Sequence, residues 1–254
     1  MRLTTIGTGT VAPHPRRVCA AHLVEAGDVR LLLDCGHGAV HRMATLALPW
    51  QTITHIAVTH FHPDHIGDLP LLVMAWRYGT LPPRSAPVTL LGPPGTIQLV
   101  ERLSAALGEW LRAPGYPFGI EELAPDGEQD LGGLTLAARK VPHTEESVAY
   151  SVAAGARRLV YTGDTAFEAG LGEWARGSDV LLAECSLPEE MALPTHLTPR
   201  ECGVLGALAE PRRLVLTHFY PPVEQVDIAD RVREQFGGTV VLAEDGWSLD
   251  IGDA

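Results

Sequence analysis

Three imidazoles and one carboxylate fall within six consecutive positions, His60 to His65, of the stretch Thr59-His60-Phe61-His62-Pro63-Asp64-His65. Neutral imidazole and carboxylate oxygen are the donors that zinc, manganese and iron share. His60 and His62 stand two apart, so in extended chain their side chains point the same way. Pro63 then turns the chain and lets Asp64 and His65 face a second point beside the first. The chain has only 11 histidines in 254 residues, which makes this density unlike that of an ordinary surface loop. Four such donors so close together predict a site for two metal ions rather than one.

An element must carry this cluster. The apolar, β-branched run Ile53-Thr54-His55-Ile56-Ala57-Val58 reads as a buried strand over 53–59, and a helix over Leu69–Trp76 follows the cluster. Four more polar residues sit beside apolar strands or a helix start. His143 follows Leu136–Val141, and His218 follows Leu214-Val215-Leu216. Asp164 follows Leu159-Val160-Tyr161, after a glycine that lets backbone approach closely. His196 precedes a helix that begins after Thr198, with Pro199 in its first turn. Any one of these alone reads as a turn residue or a satisfied core histidine; together with the cluster they read as companions of one site.

The remaining elements follow from periodicity and turn residues. Residues 2–6 and 22–33 read as strands around the loop Gly7-Thr8-Gly9-Thr10, and 39–47 as a helix. Val88–Leu91 is a strand, and a helix from Thr96, with Thr96 as its cap, places Ile97, Val100, Leu103 and Leu107 at helical spacing. The Pro/Gly-rich segment 113–119 reads as a mobile loop. Strands are expected at Leu134–Val141, Ser147–Val152, Arg158–Tyr161, Val180–Ala183, Arg213–Thr217, Thr239–Leu242 and Trp247–Ile251, with a helix over Val223–Phe236. Strands first, then alternating helices and strands, predict two packed sheets covered by helices, in a single α/β domain spanning residues 1–254.

Composition narrows the function. Hydrophobic residues make up 46% of the chain, enough for a sizeable core, yet no run approaches the roughly 20 apolar residues of a membrane span. The N-terminus reads as a strand and a glycine turn, not as a signal peptide. Cys19, Cys35, Cys185 and Cys202 are scattered and form no CxxC pair, so buried thiols in a cytoplasmic protein are expected. Net charge is −12, and the arginine pairs are short, which disfavours extended nucleic-acid binding through phosphates.

These residues together resemble the metallo-β-lactamase superfamily, and within it the ribonuclease Z-like phosphodiesterase branch. The resemblance runs through Gly7-Thr8-Gly9-Thr10, Leu33-Asp34-Cys35-Gly36-His37-Gly38, the cluster, His143, Gly163-Asp164-Thr165, Ala183-Glu184-Cys185, His196-Leu197-Thr198 and Leu216-Thr217-His218. It implies a four-layer αββα sandwich with a dinuclear metal site. His60, His62 and His143 would hold the first metal, Asp64, His65 and His218 the second, and Asp164 would bridge them. The metals would be zinc, with manganese or iron as alternatives. Two divalent ions, two aspartates and a bridging hydroxide leave about one positive charge, which suits a small anionic substrate. Such metals lower the pKa of a shared water and neutralise phosphoryl oxygens during in-line displacement. Asp64 would orient or deprotonate the nucleophile. His196 would stabilise the transition state or protonate the leaving oxygen, and Glu184 would polarise His196 or serve as a buried structural carboxylate.

Asp68 reads as a partner of a ligand histidine or as a helix cap, and Asp34 as support for a strand-to-loop turn. His37 stands where the family more often carries glutamate; His14, His22, His41 and His55 read as surface or packing residues. Members of the branch that process tRNA carry an inserted arm between the lone histidine and the bridging aspartate. Here His143 and Asp164 are 21 positions apart, with room only for a strand pair. The expected activity is therefore hydrolysis of small, including cyclic, phosphodiesters. Carbonyl-ester hydrolysis, tRNA 3′-end cleavage and a non-catalytic carrier role stand as alternatives. The resemblance also admits a homodimer, with loops 78–87 and 113–119 shaping the mouth. Trp76, Tyr78, Tyr116 and Phe118 would either stack on a base or sugar there or pack as a lid.

Overall fold

In the computed structural model, which describes residues 1–252, the chain forms two seven-stranded sheets. The last two residues of the expected domain, 253–254, lie outside the described residues. The first sheet contains β1 (Arg2–Gly7), β2 (Ala21–Ala26), β3 (Val29–Leu33), β4 (His55–Ala57), β5 (Val88–Gly92) and β6 (Phe118–Glu122). The second contains β7 (Glu128–Asp130), β8 (Thr135–Lys140), β9 (Val148–Ala154), β10 (Arg157–Tyr161), β11 (Val180–Glu184), β12 (Arg213–Thr217) and β13 (Thr239–Leu242). The chain then returns to the first sheet as β14 (Ser248–Asp250), so the strand orders are β14-β1-β2-β3-β4-β5-β6 and β13-β12-β11-β10-β9-β8-β7.

Side-chain alternation explains why the sheets stack. Leu31 and Leu33 of β3, Val180 and Leu182 of β11, and Val215 of β12 turn into the space between the sheets. Leu32, Leu181, Leu214 and Leu216 turn outward and are covered by helices. Strands buried on both faces must be apolar throughout, which is why these runs lack the polar alternation of a half-exposed strand. Over the first sheet lie α1 (Ala39–Thr45), α3 (Leu69–Tyr78) and α4 (Thr96–Leu107); α2 is the short turn Pro63–Ile66 at the strand ends. Over the second lie α5 (Ala169–Trp174), α6 (Pro199–Ala209) and α7 (Ile228–Arg233). The result is an αββα sandwich, the fold that the sequence predicts.

Strand direction positions the site. β3 to β6 run parallel to one another, as do β10 to β13, while β9 is antiparallel to both β8 and β10. The C-terminal ends of β3, β4, β8, β10, β11 and β12 therefore open on one edge of the sandwich, where each strand hands its polar residues to a loop.

Several local expectations change. Residues 22–33 are two strands, because Gly27 takes a left-handed φ of 55° and turns β2 back on β3. The 113–119 segment leads directly into β6, which pairs in parallel with β5. Helix α5 and strand β7 have too few periodic positions to signal themselves. The expected helix over 223–236 is a 3-10 turn, Val223–Gln225, followed by α7, because Val226 is extended and the Asp227 side chain caps the new start at Asp230 N, 2.9 Å away. Thr96 is not the cap of α4 but its first residue; its hydroxyl donates back to Pro93 O at 2.7 Å. The exposed amides of that helix start, Gly95 N and Ile97 N, instead donate to Glu122 Oε1 of β6 at 2.9 and 3.1 Å. Helix α6 begins after Thr198 with Pro199 in its first turn, as expected, and Thr198 and Glu201 make a reciprocal capping box.

Candidate metal centre

The cluster leaves the end of β4 and passes through α2, and its side chains meet those from the second sheet across the open edge. His60 Nε2 and His143 Nε2 lie 3.0 and 3.2 Å from His62 Nδ1. Asp164 Oδ2 is 3.9 Å from His60 Nε2 and 3.8 Å from His143 Nε2. Its other oxygen, Oδ1, is 3.2 Å from His65 Nε2 and 3.3 Å from His218 Nε2, and Asp64 Oδ2 is 3.5 Å from His218 Nε2. Thus His60, His62, His143 and Asp164 form one group of donors, and Asp64, His65 and His218 a second, each within 4.8 Å. Asp164 faces both, one oxygen to each.

Three buried atoms test whether the arrangement fits a cation. His65 Nε2, His218 Nε2 and Asp164 Oδ1 have no hydrogen-bond partner, although a buried polar atom normally has one. They converge on each other instead. The opposite ring nitrogens explain how lone pairs are presented inward. His65 Nδ1 lies 2.8 Å from Asp34 Oδ2, and His143 Nδ1 lies 2.9 Å from the Thr195 carbonyl, so each must donate there. His60 Nδ1 contacts Thr59 Oγ1 at 3.0 Å, and His218 Nδ1 contacts Ser186 Oγ at 3.0 Å. The nitrogen and oxygen donor set fits divalent zinc, manganese or iron.

Charge is arranged differently at each ring. Burial, then the neighbouring His65, holds His60 well below the usual histidine range, and burial also lowers His143. Burial opposes charge on His65 too, but Asp164 and Asp34 outweigh it and hold the ring well above that range. Burial alone would raise Asp164; His218 and His65 bring it well below the usual carboxylate range.

Asp34 does more than support a turn. Its left-handed backbone, φ 58°, delivers a fully buried carboxylate that accepts from Thr59 N at 2.7 Å, Tyr161 OH at 2.8 Å and His65 Nδ1. Asp68 touches no ligand-type histidine and makes no side-chain cap on α3, which it precedes, but it does satisfy a first-turn amide of α1. It accepts from Val40 N at 3.0 Å and lies 3.3 Å from the exposed His37, tying α1 to the cluster loop.

The other predicted pair meets beside the second group. His196 Nδ1 lies 3.1 Å from both carboxylate oxygens of Glu184, and Glu184 Oε1 also accepts from Thr165 N at 2.6 Å. Ser186 was not singled out by sequence. Its buried hydroxyl makes a very short contact to Glu184 Oε2 and also reaches His218 Nδ1, linking the two. The available signal was spacing, since Glu184 and Ser186 stand two apart at a strand end and face one way. Tyr220 was also missed. With Val11, His62, Asp64, Asp164 and His196 it lines a pocket of about 260 Å³, and burial, then Asp64, pushes its hydroxyl up to about 12. The aromatic residues proposed for the mouth do not line this pocket. Trp76 and Tyr116 are buried under Arg84, whose guanidinium lies 4.7 Å from the Trp76 ring. His22 is packed against Tyr161, and burial lowers it to about 3. The four cysteines are free thiols.

The family model described as the beta-lactamase superfamily domain matches residues 29–219, and the chain belongs to that superfamily. It is 26% identical to a ribonuclease Z of Mycobacterium avium, over 96% of each chain. It is 31% identical to the uncharacterized protein Mb1374 of Mycobacterium bovis, over 94% of this chain and 88% of that one. The metallo-beta-lactamase fold protein YhfI of Bacillus subtilis superposes with a TM-score of 0.84 at 23% identity, over 98% of each chain, and shares the fold. The interval between His143 and Asp164 holds β9 and β10. Among the described residues no helix is long and apolar enough to cross a membrane.

Proposed function

We propose that the protein is a metal-dependent hydrolase of small phosphodiesters, cyclic ones included, using two divalent ions of which zinc fits best. One observation carries this reading: the Glu184–His196 pair stands beside two donor groups that share Asp164. When bound, two such ions activate water and neutralise phosphoryl oxygens. The chain's own residues supply the rest. Glu184 holds His196 Nδ1, which leaves Nε2 for the pocket. Burial works against charge on His196, but Glu184 outweighs it and raises the ring's pKa, keeping a proton available for a leaving oxygen. Asp64, in the same pocket, accepts the proton or orients the hydrogen of an attacking water.

An acidic protein with a short β9–β10 connection is suited to small anionic substrates rather than to long nucleic acid. The ribonuclease Z relatives favour tRNA 3′-end cleavage as the second reading. Free thiols suit a cytoplasmic location, and the family resemblance supports a homodimer, which light scattering tests. The deciding experiment pairs metal analysis with turnover of bis-p-nitrophenyl phosphate, 2′,3′- and 3′,5′-cyclic nucleotides, a lactone, a thioester and a precursor tRNA. Two metals per chain with cleavage confined to small phosphodiesters is the expected result. Cleavage of only the lactone or thioester, or of only the tRNA, replaces the substrate class. Failure to bind metal overturns the mechanism.

A further inference from the structure

The chain has a single lysine, Lys140, which closes β8 three positions before His143. The residue is exposed, yet its ammonium is fully engaged. Nζ donates to the carbonyls of Val141 at 3.0 Å, Thr144 at 2.6 Å and Ser147 at 3.3 Å. All three belong to the connection 141–147, which carries His143 from β8 to β9. An ammonium has three rotatable donors and no acceptor, so it can gather three carbonyls at one point; the planar fork of a guanidinium matches that arrangement less well. In a chain whose other basic side chains, histidine aside, are arginines, the one lysine stands where that geometry is needed.

The connection meets three parts of the metal centre. At its end, Val148 N donates to Thr59 O at 3.0 Å, beside His60. Near its start, Pro142 O accepts from Ala166 N at 2.8 Å, two residues after Asp164. His143 itself reaches Thr195 O through Nδ1. Backbone pairing within the loop is thin: Val141 N donates to Ser147 O at 3.1 Å, and Ser147 N to Thr144 O at 3.4 Å. Thr144 N turns instead to Ser147 Oγ at 3.0 Å. Val141 and Thr144 stand on either side of His143, so the ammonium grips the backbone before and after that residue. Burial lowers the pKa of Lys140, and Glu146 and Glu145 of the same loop work against that fall. We propose that Lys140 is a positioning residue of the metal centre: by gathering the carbonyls that flank His143, its ammonium holds that imidazole against His62 and Asp164 in the first donor group. This rests on the metal-centre reading and adds to it a residue that is itself no ligand.

The test is competitive chelator titration with zinc on wild type, Lys140→Met, which keeps the stem and removes the ammonium, and Lys140→Arg, which keeps the charge. His62→Ala marks which binding step belongs to the first donor group. Position 140 is exposed, so folding is retained. The expected result is a first-group affinity about tenfold lower in Lys140→Met, with the second group unchanged and Lys140→Arg lying between Lys140→Met and wild type. Equal weakening of both groups, no weakening of either, or a Lys140→Arg variant no better than Lys140→Met overturns the assignment. If wild type takes up no zinc, the metal-centre reading has failed, and amide hydrogen exchange over 141–148 judges the loop alone. Exchange faster in Lys140→Met and partly restored in Lys140→Arg supports the positioning role; exchange equal in all three overturns it.

Discussion

In one half of the metal centre, His62 is exposed, and the outer nitrogens of His60 and His143 rest on a hydroxyl and a backbone carbonyl. In the other half, His65 and His218 are buried; His65 is held by the Asp34 carboxylate and His218 by Ser186, itself tied to Glu184. A carboxylate behind a ligand imidazole fixes its tautomer and raises its basicity, whereas a neutral acceptor mainly fixes orientation. The comparison teaches that similar ligand sets can differ in strength through what stands behind them. The second half should bind its metal more tightly, and the first should exchange it faster.

Asp164 serves both halves, so Asp164→Ala should do the most damage: both metals weakened by more than the ~100-fold cost of losing a supporting partner, seen as loss of both in metal analysis. His196→Ala should lower kcat by about 10²–10⁴-fold while two metals remain, the range for a positioned acid; loss of metal in that variant would make His196 a ligand instead. Asp34→Asn keeps the shape and removes the charge. It should weaken the second half by ~10–100-fold and leave the first nearly unchanged, read by competitive chelator titration; equal weakening of both would erase the contrast. Ser186→Ala should cost that half only about 1 kcal/mol, a few-fold in affinity, because a neutral hydrogen bond is lost.

The smallest signal is a proton count. The surroundings of His65 favour its protonated form, through Asp164 and Asp34, whereas burial favours the neutral form of His60 and His143. Metal entering the second half must expel that proton, and metal entering the first need not. Filling the second half should release about one proton from His65, and its affinity should fall as pH falls. A pH-indicator dye during stepwise metal addition, with H65A as control, checks this. Equal release in both halves would contradict the assignment.

The side chains that converge are those whose types and strand-end positions mark them in the sequence. His60 to His65 declare themselves locally, and His143, Asp164 and His218 stand out because polar residues closing apolar runs are conspicuous. The supports were hidden. Asp34, Tyr161 and Thr59 meet across two sheets, and Ser186 gains its role only when β11 and β12 lie side by side. The same holds for the fold. Buried strands were legible from apolar runs, but the break at Asp227 and the turn at Gly27 depend on single residues inside otherwise continuous patterns.

Glu122 caps α4 from a strand 15 positions beyond the helix's last residue. An isolated 12-residue helix is marginal in water, so α4 lacks the partner for its first amides until β6 has docked on the sheet edge. Helix and edge strand are therefore expected to open and close together in hydrogen exchange. Phe61, between His60 and His62, faces Gly95 at the start of that helix, so opening at this sheet edge would reach the ligand-type cluster through its ring, although the edge lies some distance along the chain from every ligand-type residue.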